Sequence, residues 1–393
     1  MHPVSALPDQ DSIGQQEEGT PTPRKRIALF LGAGASFTFG VPLTQDLLGE
    51  IITGCKSRRL FSRSGDADQY CNELLHHLKE LLPGLTDTIK LPLVTDLISL
   101  IDYSLSMSTT PILGMDQRGL LRLRELLARA IAEIVAVQPW ELPVYQQYDR
   151  WLRALADSAS VSVLTTNYDI IAERPVLLRL WGRYLEEAPM YAELDFGFGW
   201  RIPYSGVIQR RPVSSPISFF KLHGSVNWLG CEVCEHIYIN HWAPISAFGG
   251  SLFGVSATSD GALTCHCDHG PLTPVIVAPS LVRDIRNANL LEIWKNALES
   301  LREADEWVIV GYSFPPEDLA IRSMFMRAWR GRKTKPKVTV VQYGWNRPTM
   351  ARFKILFPRC TYLHDGFAAY LSREAPPAAL TDRSPSHGPN PPA

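Results

Sequence analysis

The sequence predicts an α/β fold: a Rossmann-like parallel sheet covered by helices, carrying a helical insertion and a small zinc-ribbon-like module. Three observations predict it. Short β-rich apolar runs alternate with helical patterns, a glycine turn follows the first run directly, and four of the seven cysteines crowd into residues 231–267.

The expected strands are Ile27–Leu31, Val161–Thr165, Ile217–Leu222, Pro274–Ala278, Glu306–Val310, Lys337–Gln342 and Cys360–Leu363. Each is short and shows little polar alternation, as strands buried on both faces do. Between the later ones lie patterns such as Leu290, Leu291, Ile293, Trp294, Ala297, Leu298 and Leu301, whose three-and-four spacing marks one face of a helix. From Thr44 to Asp157 no strand is evident, and apolar residues recur at helical spacing (Leu74, Leu75, Leu78, Leu81; Leu120, Leu123, Leu127, Ile131, Ile134), which predicts the insertion at about 44–157. There is no internal repeat.

Residues 1–24 and 373–393 mix Pro, Ser, Gln, Glu and Gly without apolar periodicity and read as disordered tails around one domain, 25–372. With 39 Lys+Arg against 40 Asp+Glu, the net charge of -1 supplies no field for a polyanion, which argues against general nucleic-acid binding. No run of 18 apolar residues exists to span a bilayer, and the amino-terminal stretch is too polar for a signal peptide, so a cytoplasmic protein is expected.

Arg26–Leu31 runs straight into Gly32-Ala-Gly-Ala-Ser36, a strand and a tight glycine turn of the kind that lets backbone N–H groups approach a pyrophosphate. Phe37 stands where the dinucleotide fingerprint would have its third glycine, and no second strand with an acidic end follows, so a purely structural strand-to-helix turn is the competing reading. Gly40-Val-Pro42 follows closely. Three more polar islands end later strands: Thr165-Thr-Asn-Tyr-Asp169, Lys221-Leu-His-Gly-Ser225 and Gly311-Tyr-Ser313. Singly, Asn167 reads as an Asx turn and His223 as a structural histidine. Together, at the carboxyl ends of parallel strands, they make a ligand crevice.

Cys231 and Cys234 form a C-x-x-C pair, and Cys265 and Cys267 a C-x-C pair, in a segment (about 229–271) too polar to build its own core. Two such knuckles can surround one structural Zn²⁺. A disulfide set is the alternative, and the scattered Cys55, Cys71 and Cys360 read as buried or incidental.

In these motifs and their order (GAGAS with Gly-Val-Pro, TTNYD, KLHGS, a cysteine module after the histidine, VIVGYS), residues 26–366 resemble the sirtuin superfamily, and within it the divergent bacterial sirtuin-like branch whose members often hydrolyse NAD⁺ in antiphage defence. The resemblance implies that Gly32, Ala33, Gly34 and Ser36 surround the phosphates of NAD⁺, with Pro42 also a binding residue. It sets Gly311 and Ser313 near the adenosine half, Asn167 and Asp169 by the nicotinamide ribose, and makes Asn167 and His223 the catalytic pair. The residue types suit the chemistry: an amide can position water or a ribose hydroxyl, and an imidazole can take a proton near neutral pH. The C-x-C pair departs from the family's two C-x-x-C pairs, so His236, His266 or His269 is a possible substitute ligand.

Three departures favour an NAD⁺ glycohydrolase, releasing nicotinamide and ADP-ribose, over a protein deacylase or ADP-ribosyltransferase. The two edges where a deacylase pairs its peptide read Ala278-Pro-Ser280 and Phe314-Pro-Pro316, and proline donates no N–H. Pro42-Leu-Thr-Gln45 stands where Pro-Asp-Phe-Arg is usual, and Tyr168 replaces a small aliphatic residue. The zinc module favours the deacylase. A non-catalytic NAD⁺ or ADP-ribose sensor or scaffold is a further alternative. Regulation of a toxic hydrolase is expected from homo-oligomer assembly, a protein partner or the insertion. Residues 191–204, with Phe196-Gly-Phe-Gly-Trp200, read as a lid or a surface loop, and the basic stretch Arg327–Lys337 as a solvated helix end.

Overall fold

The computed structural model describes residues 24–61, 66–85, 91–107, 115–137, 139–177, 194–203, 205–240, 264–270, 272–277, 287–316 and 318–376. The expected tails fall almost wholly outside these residues, as does the edge Ala278-Pro-Ser280.

Six strands form one sheet in the order β11-β10-β9-β1-β2-β5: β1 (Lys25–Leu31), β2 (Ala159–Thr165), β5 (Ile217–Lys221), β9 (Glu306–Val310), β10 (Lys337–Val341) and β11 (Thr361–Leu363). Every pairing in it is parallel. The strands are apolar because their residues are largely buried, and helices alternate with them along the chain: α7 (Ala288–Glu303), α8 (Leu319–Arg330), α9 (Arg347–Leu356) and α10 (Gly366–Glu374) among them. The register determines where loops emerge. Leu31 pairs with both Thr165 and Val310, Thr165 with Lys221, and Val310 with Val341, so five strands end at one level. The chain order reverses at β1, with β2 on one side and β9 on the other, which opens a crevice there.

The short α1 (Ala33–Phe37) follows β1 immediately, and α2 (Leu47–Lys56), α3 (Ala67–Leu81), α4 (Val94–Ser106), α5 (Gln117–Val135) and α6 (Pro143–Ser158) then form the helical insertion. Asp116 caps α5 by accepting from Gly119 N at 2.7 Å, and α5 buries Leu120, Leu123, Leu127 and Ile131 along one stripe. Arg122 on α5 grips both oxygens of Glu73 on α3 at 2.8 Å and holds that carboxyl below its ordinary range. Pro143 opens α6, where a missing N–H costs nothing.

A second sheet, in the order β4-β3-β7-β6-β8, joins β3 (Trp200–Arg201), β4 (Ile208–Gln209), β6 (Gly224–Gly230), β7 (Ile237–Ile239) and β8 (Thr273–Ile276). Two expectations are corrected here. The run at Pro274–Ala278 belongs to this sheet, as β8 antiparallel to β6, and not to the parallel one. It is an edge strand, where Pro274 needs no ladder donor. Nor is Phe196–Trp200 a lid: Phe196, Phe198 and Trp200 are buried, packed with Phe219 and Trp228, while residues 191–193 and 204 lie outside the described residues. The basic stretch spends its charges locally, Arg332 on the carbonyls of Leu301 and Arg302 and Lys335 on those of Trp329 and Arg332. Among the described residues no helix is long and apolar enough to cross a membrane.

Candidate active site and cysteine centre

A cavity of about 740 Å³ opens at the carboxyl edge of the parallel sheet. Ala33, Gly34, Ser36, Pro42, Asn167, Asp169, His223, Gly311 and Ser313 all line it. Of the residues singled out in the sequence for this site, Gly32 alone is set back: its N–H donates to Val310 O (2.9 Å) and its carbonyl accepts from Asn167.

The two glycine turns interlock. Gly34 N donates to Gly311 O at 2.8 Å, and Gly311 sits at φ +61° with its Cα side pressed on the loop opposite. A Cβ at Gly311 would lie 2.1 Å from Ala35 N and 2.3 Å from Gly34 C; one at Gly34 would lie 2.8 Å from Gly311 Cα. Glycine is therefore required by conformation and by contact. Gly311→Ala is expected to destabilise the chain by about 2 kcal/mol or more in urea unfolding, since neither backbone can give way. A stability unchanged within error would contradict this packing.

Asn167 is held from both ends. Its N–H donates to Thr165 Oγ1 (3.0 Å), itself bonded to Leu31 O, and its Nδ2 donates to Gly32 O (2.9 Å) and Ser36 Oγ (2.7 Å). A carbonyl can only accept, so the bond to Gly32 O fixes which end of the amide is nitrogen and which is the accepting Oδ1. His223 occupies the corner between β5 and β6, where Gly224 at φ +77° turns the chain at once, and it is a lining residue of the same cavity although nearly all of it is buried. The corner is stitched to the Asn167 segment: Leu222 N donates to Thr165 O, and Val226 N and Ser225 Oγ both donate to Tyr168 O. Tyr168 OH in turn donates to Val277 O at 3.0 Å, beyond the end of β8. Asp169 is buried, and its Oδ1 accepts from Ile171 N.

Several lining residues carried no sequence signal. Leu93, Thr95 and Asp96 come from the start of α4 and Val135 from the end of α5, so the insertion walls the cavity. Gln342 and Tyr343 follow β10, Asp365 follows β11 and Phe367 opens α10, and Gln342 Nε2 donates to Tyr312 O at 2.6 Å. The ion pair of Lys221 with Glu173 (3.0 Å) is wholly buried. Part of its signal was available, because Lys221 interrupts the apolar stretch Ile217–Leu222 and Glu173 directly follows another, Ile170–Ala172. Burial pushes the Glu173 carboxyl up, and the ammonium opposes that shift.

The edge after β9 is unsuited to strand pairing. Pro315 and Pro316 have no N–H, Phe314 turns through φ +55° with its ring buried, and the Ser313 carbonyl accepts from Arg352 Nε (3.1 Å) and Nη2 (2.9 Å).

Four of the cysteines converge in a second centre. All seven are free thiols. Cys231, Cys234 and Cys265 place their sulfurs within 4.8 Å of one another, Cys234 and Cys265 at 3.4 Å. Tetrahedral thiolates about 2.3 Å from Zn²⁺ stand about 3.8 Å apart, so the donor set fits. Backbone N–H groups of Cys234 and Cys267 point at Cys231 Sγ (3.4 Å) and Cys265 Sγ (3.3 Å), stabilising thiolate charge. The fourth vertex has two donors within reach. Cys267 and His236 form a second group with Cys234, and His236 Nδ1 lies 3.1 Å from Cys234 Sγ. His266 instead stacks on Tyr238, and neither it nor His269 joins either group. Among the described residues a small buried cluster (Leu229, Cys231, Tyr238, Cys265) lies here, which leaves room for a bound ion as the core of the module.

No protein-family model matches the chain, and no curated protein matches it. Solved structures do. The structure of Sir2Tm bound to a propionylated peptide is 14% identical, with 89% of this chain and 91% of that one covered, at a TM-score of 0.38. Sir2 bound to an acetylated peptide gives 13%, 89%, 91% and 0.40, and a Sir2–p53 peptide–NAD⁺ complex gives 13%, 89%, 91% and 0.37. All three TM-scores lie below 0.5, and the fold rests on the parallel sheet and the crevice described above.

Proposed function

We propose that the protein is an NAD⁺ glycohydrolase, cleaving NAD⁺ to nicotinamide and ADP-ribose, and that it serves antiphage defence by depleting NAD⁺. The observation that carries the catalytic reading is that Asn167, its amide oriented by two bonds, and His223 both line the cavity walled by the interlocked glycine turns. The turns, with Ser36 and Pro42, hold the diphosphate, and Gly311 and Ser313 take the adenosine side. Asn167 Oδ1 accepts a hydrogen bond from water or a ribose hydroxyl. The C1′–N bond breaks with its electron pair leaving on nicotinamide, water oxygen bonds to C1′, and the water's proton passes to His223. Asp169 lines the ribose side. The defence role rests on the motif resemblance alone, and control by self-assembly or a protein partner belongs to the same reading.

Water is favoured over a peptide as acceptor because residues 313–316 offer two prolines and a carbonyl already held by Arg352. The cysteine module, typical of deacylases, favours the second reading, an NAD⁺-dependent deacylase or ADP-ribosyltransferase. Chromatography of the products separates them. With an acetyl-lysine peptide present, free ADP-ribose is expected as the sole ribosyl product; acetylated ADP-ribose or ribosylated peptide would establish the second reading.

A further inference from the structure

We propose that the buried ion pair of Lys221 and Glu173 is a positioning element that sets the separation of Asn167 and His223, an inference that rests on the glycohydrolase reading of the site.

Lys221 is the last residue of β5, two before His223, and Glu173 follows Asp169 by four. Lys221 Nζ lies 3.0 and 3.4 Å from the two Glu173 oxygens and also donates to the Asp169 carbonyl. Neither side chain lines the cavity or meets solvent, so neither touches substrate. Stability does not account for the pair, because apolar side chains of similar volume fill such a space as well or better without two desolvated charges. Direction does. The ammonium is a branched joint: one arm ends on the carbonyl of the Asn167 segment, another on the turn that follows it, and its stem is the strand that delivers His223. The neighbouring bonds (Leu222 N to Thr165 O, Ser225 Oγ to Tyr168 O) are neutral and lie along the same seam. The charged joint fixes how far the seam can open, and with it the gap across which water must be both oriented and deprotonated.

The test replaces the pair together. Lys221→Met or Glu173→Leu alone strands a buried charge and is expected to lower the folded yield severely. The double variant removes both charges and is expected to melt within a few degrees of wild type. It lacks the arm to Asp169, so kcat for nicotinamide release is expected to fall about a hundredfold while KM for NAD⁺ stays within about threefold, the signature of misplaced rather than missing groups. The ¹H–¹³C resonance of the His223 imidazole, assigned by comparison with His223→Ala, is expected to move. A double variant with wild-type kcat and an unmoved resonance would overturn the proposal and leave the pair a packing feature. If the double variant does not fold, Lys221→Gln with Glu173→Gln carries the same readouts, since that neutral pair can bond to itself but is one bond shorter towards Asp169. Wild type that releases no nicotinamide defeats the glycohydrolase reading, and the imidazole resonance then decides the positioning role without activity.

Discussion

Asn167→Ala and His223→Ala are each expected to cut nicotinamide release from NAD⁺ by at least about a hundredfold, because each removes one of the two groups that act on the attacking water. The two losses should differ in kind. His223→Ala takes away the proton acceptor, so kcat falls while affinity for NAD⁺ changes little. Asn167→Ala also removes the bonds to Gly32 O and Ser36 Oγ that tie the second strand's loop to the glycine turn, so KM is expected to rise as kcat falls. Far-ultraviolet circular dichroism and melting keep these effects apart from misfolding. Either variant with activity within threefold of wild type removes that residue from the mechanism.

Removing the metal is expected to have the largest effect on folding. Structural Zn²⁺ contributes about 10–16 kcal/mol to small cysteine modules. Among the described residues the buried cluster around Cys231 and Cys265 is small, and it offers little apolar packing without an ion. One equivalent of zinc per chain is expected on purification without chelators. Excess chelator, or Cys231→Ser, is expected to unfold the module and to abolish nicotinamide release as well. The coupling has a route: β6 runs from the His223 corner to Cys231, and β8 pairs with it and leads to Val277, whose N–H donates to the His223 carbonyl. Protein free of zinc, with unaltered melting and activity, would remove the metal from the account.

What the sequence disclosed and what it withheld follow from the range of the forces involved. Strands buried on both faces write continuous apolar runs, so six of the seven expected strands lie in the parallel sheet at nearly the expected bounds, and Glu306–Val310 at the same bounds. The seventh, β8, has the same apolar character but pairs with β6, a strand that begins immediately after His223 because Gly224 turns without a visible loop. Sheet membership is a long-range property, and the local pattern cannot hold it. The cavity's glycine, asparagine and histidine islands were legible because each ends a strand, and parallel register brings such ends to one level. The walls supplied by Asp96 and Val135, and by Tyr343 and Asp365, were not legible, since they depend on how the insertion and the far edge fold over the crevice. The Lys221–Glu173 pair falls between: a charge inside one apolar stretch and another directly after a second signal burial, but only the fold shows that they meet across 48 residues.

The most direct measurement is nicotinamide release from NAD⁺ by the purified wild-type chain, with and without a pool of acetyl-lysine peptides. The account predicts release at the same rate in both, with ADP-ribose formed in equal amount. Release that occurs only when peptide is present would contradict it, and would mean that the proline-bearing edge after β9 still receives a peptide.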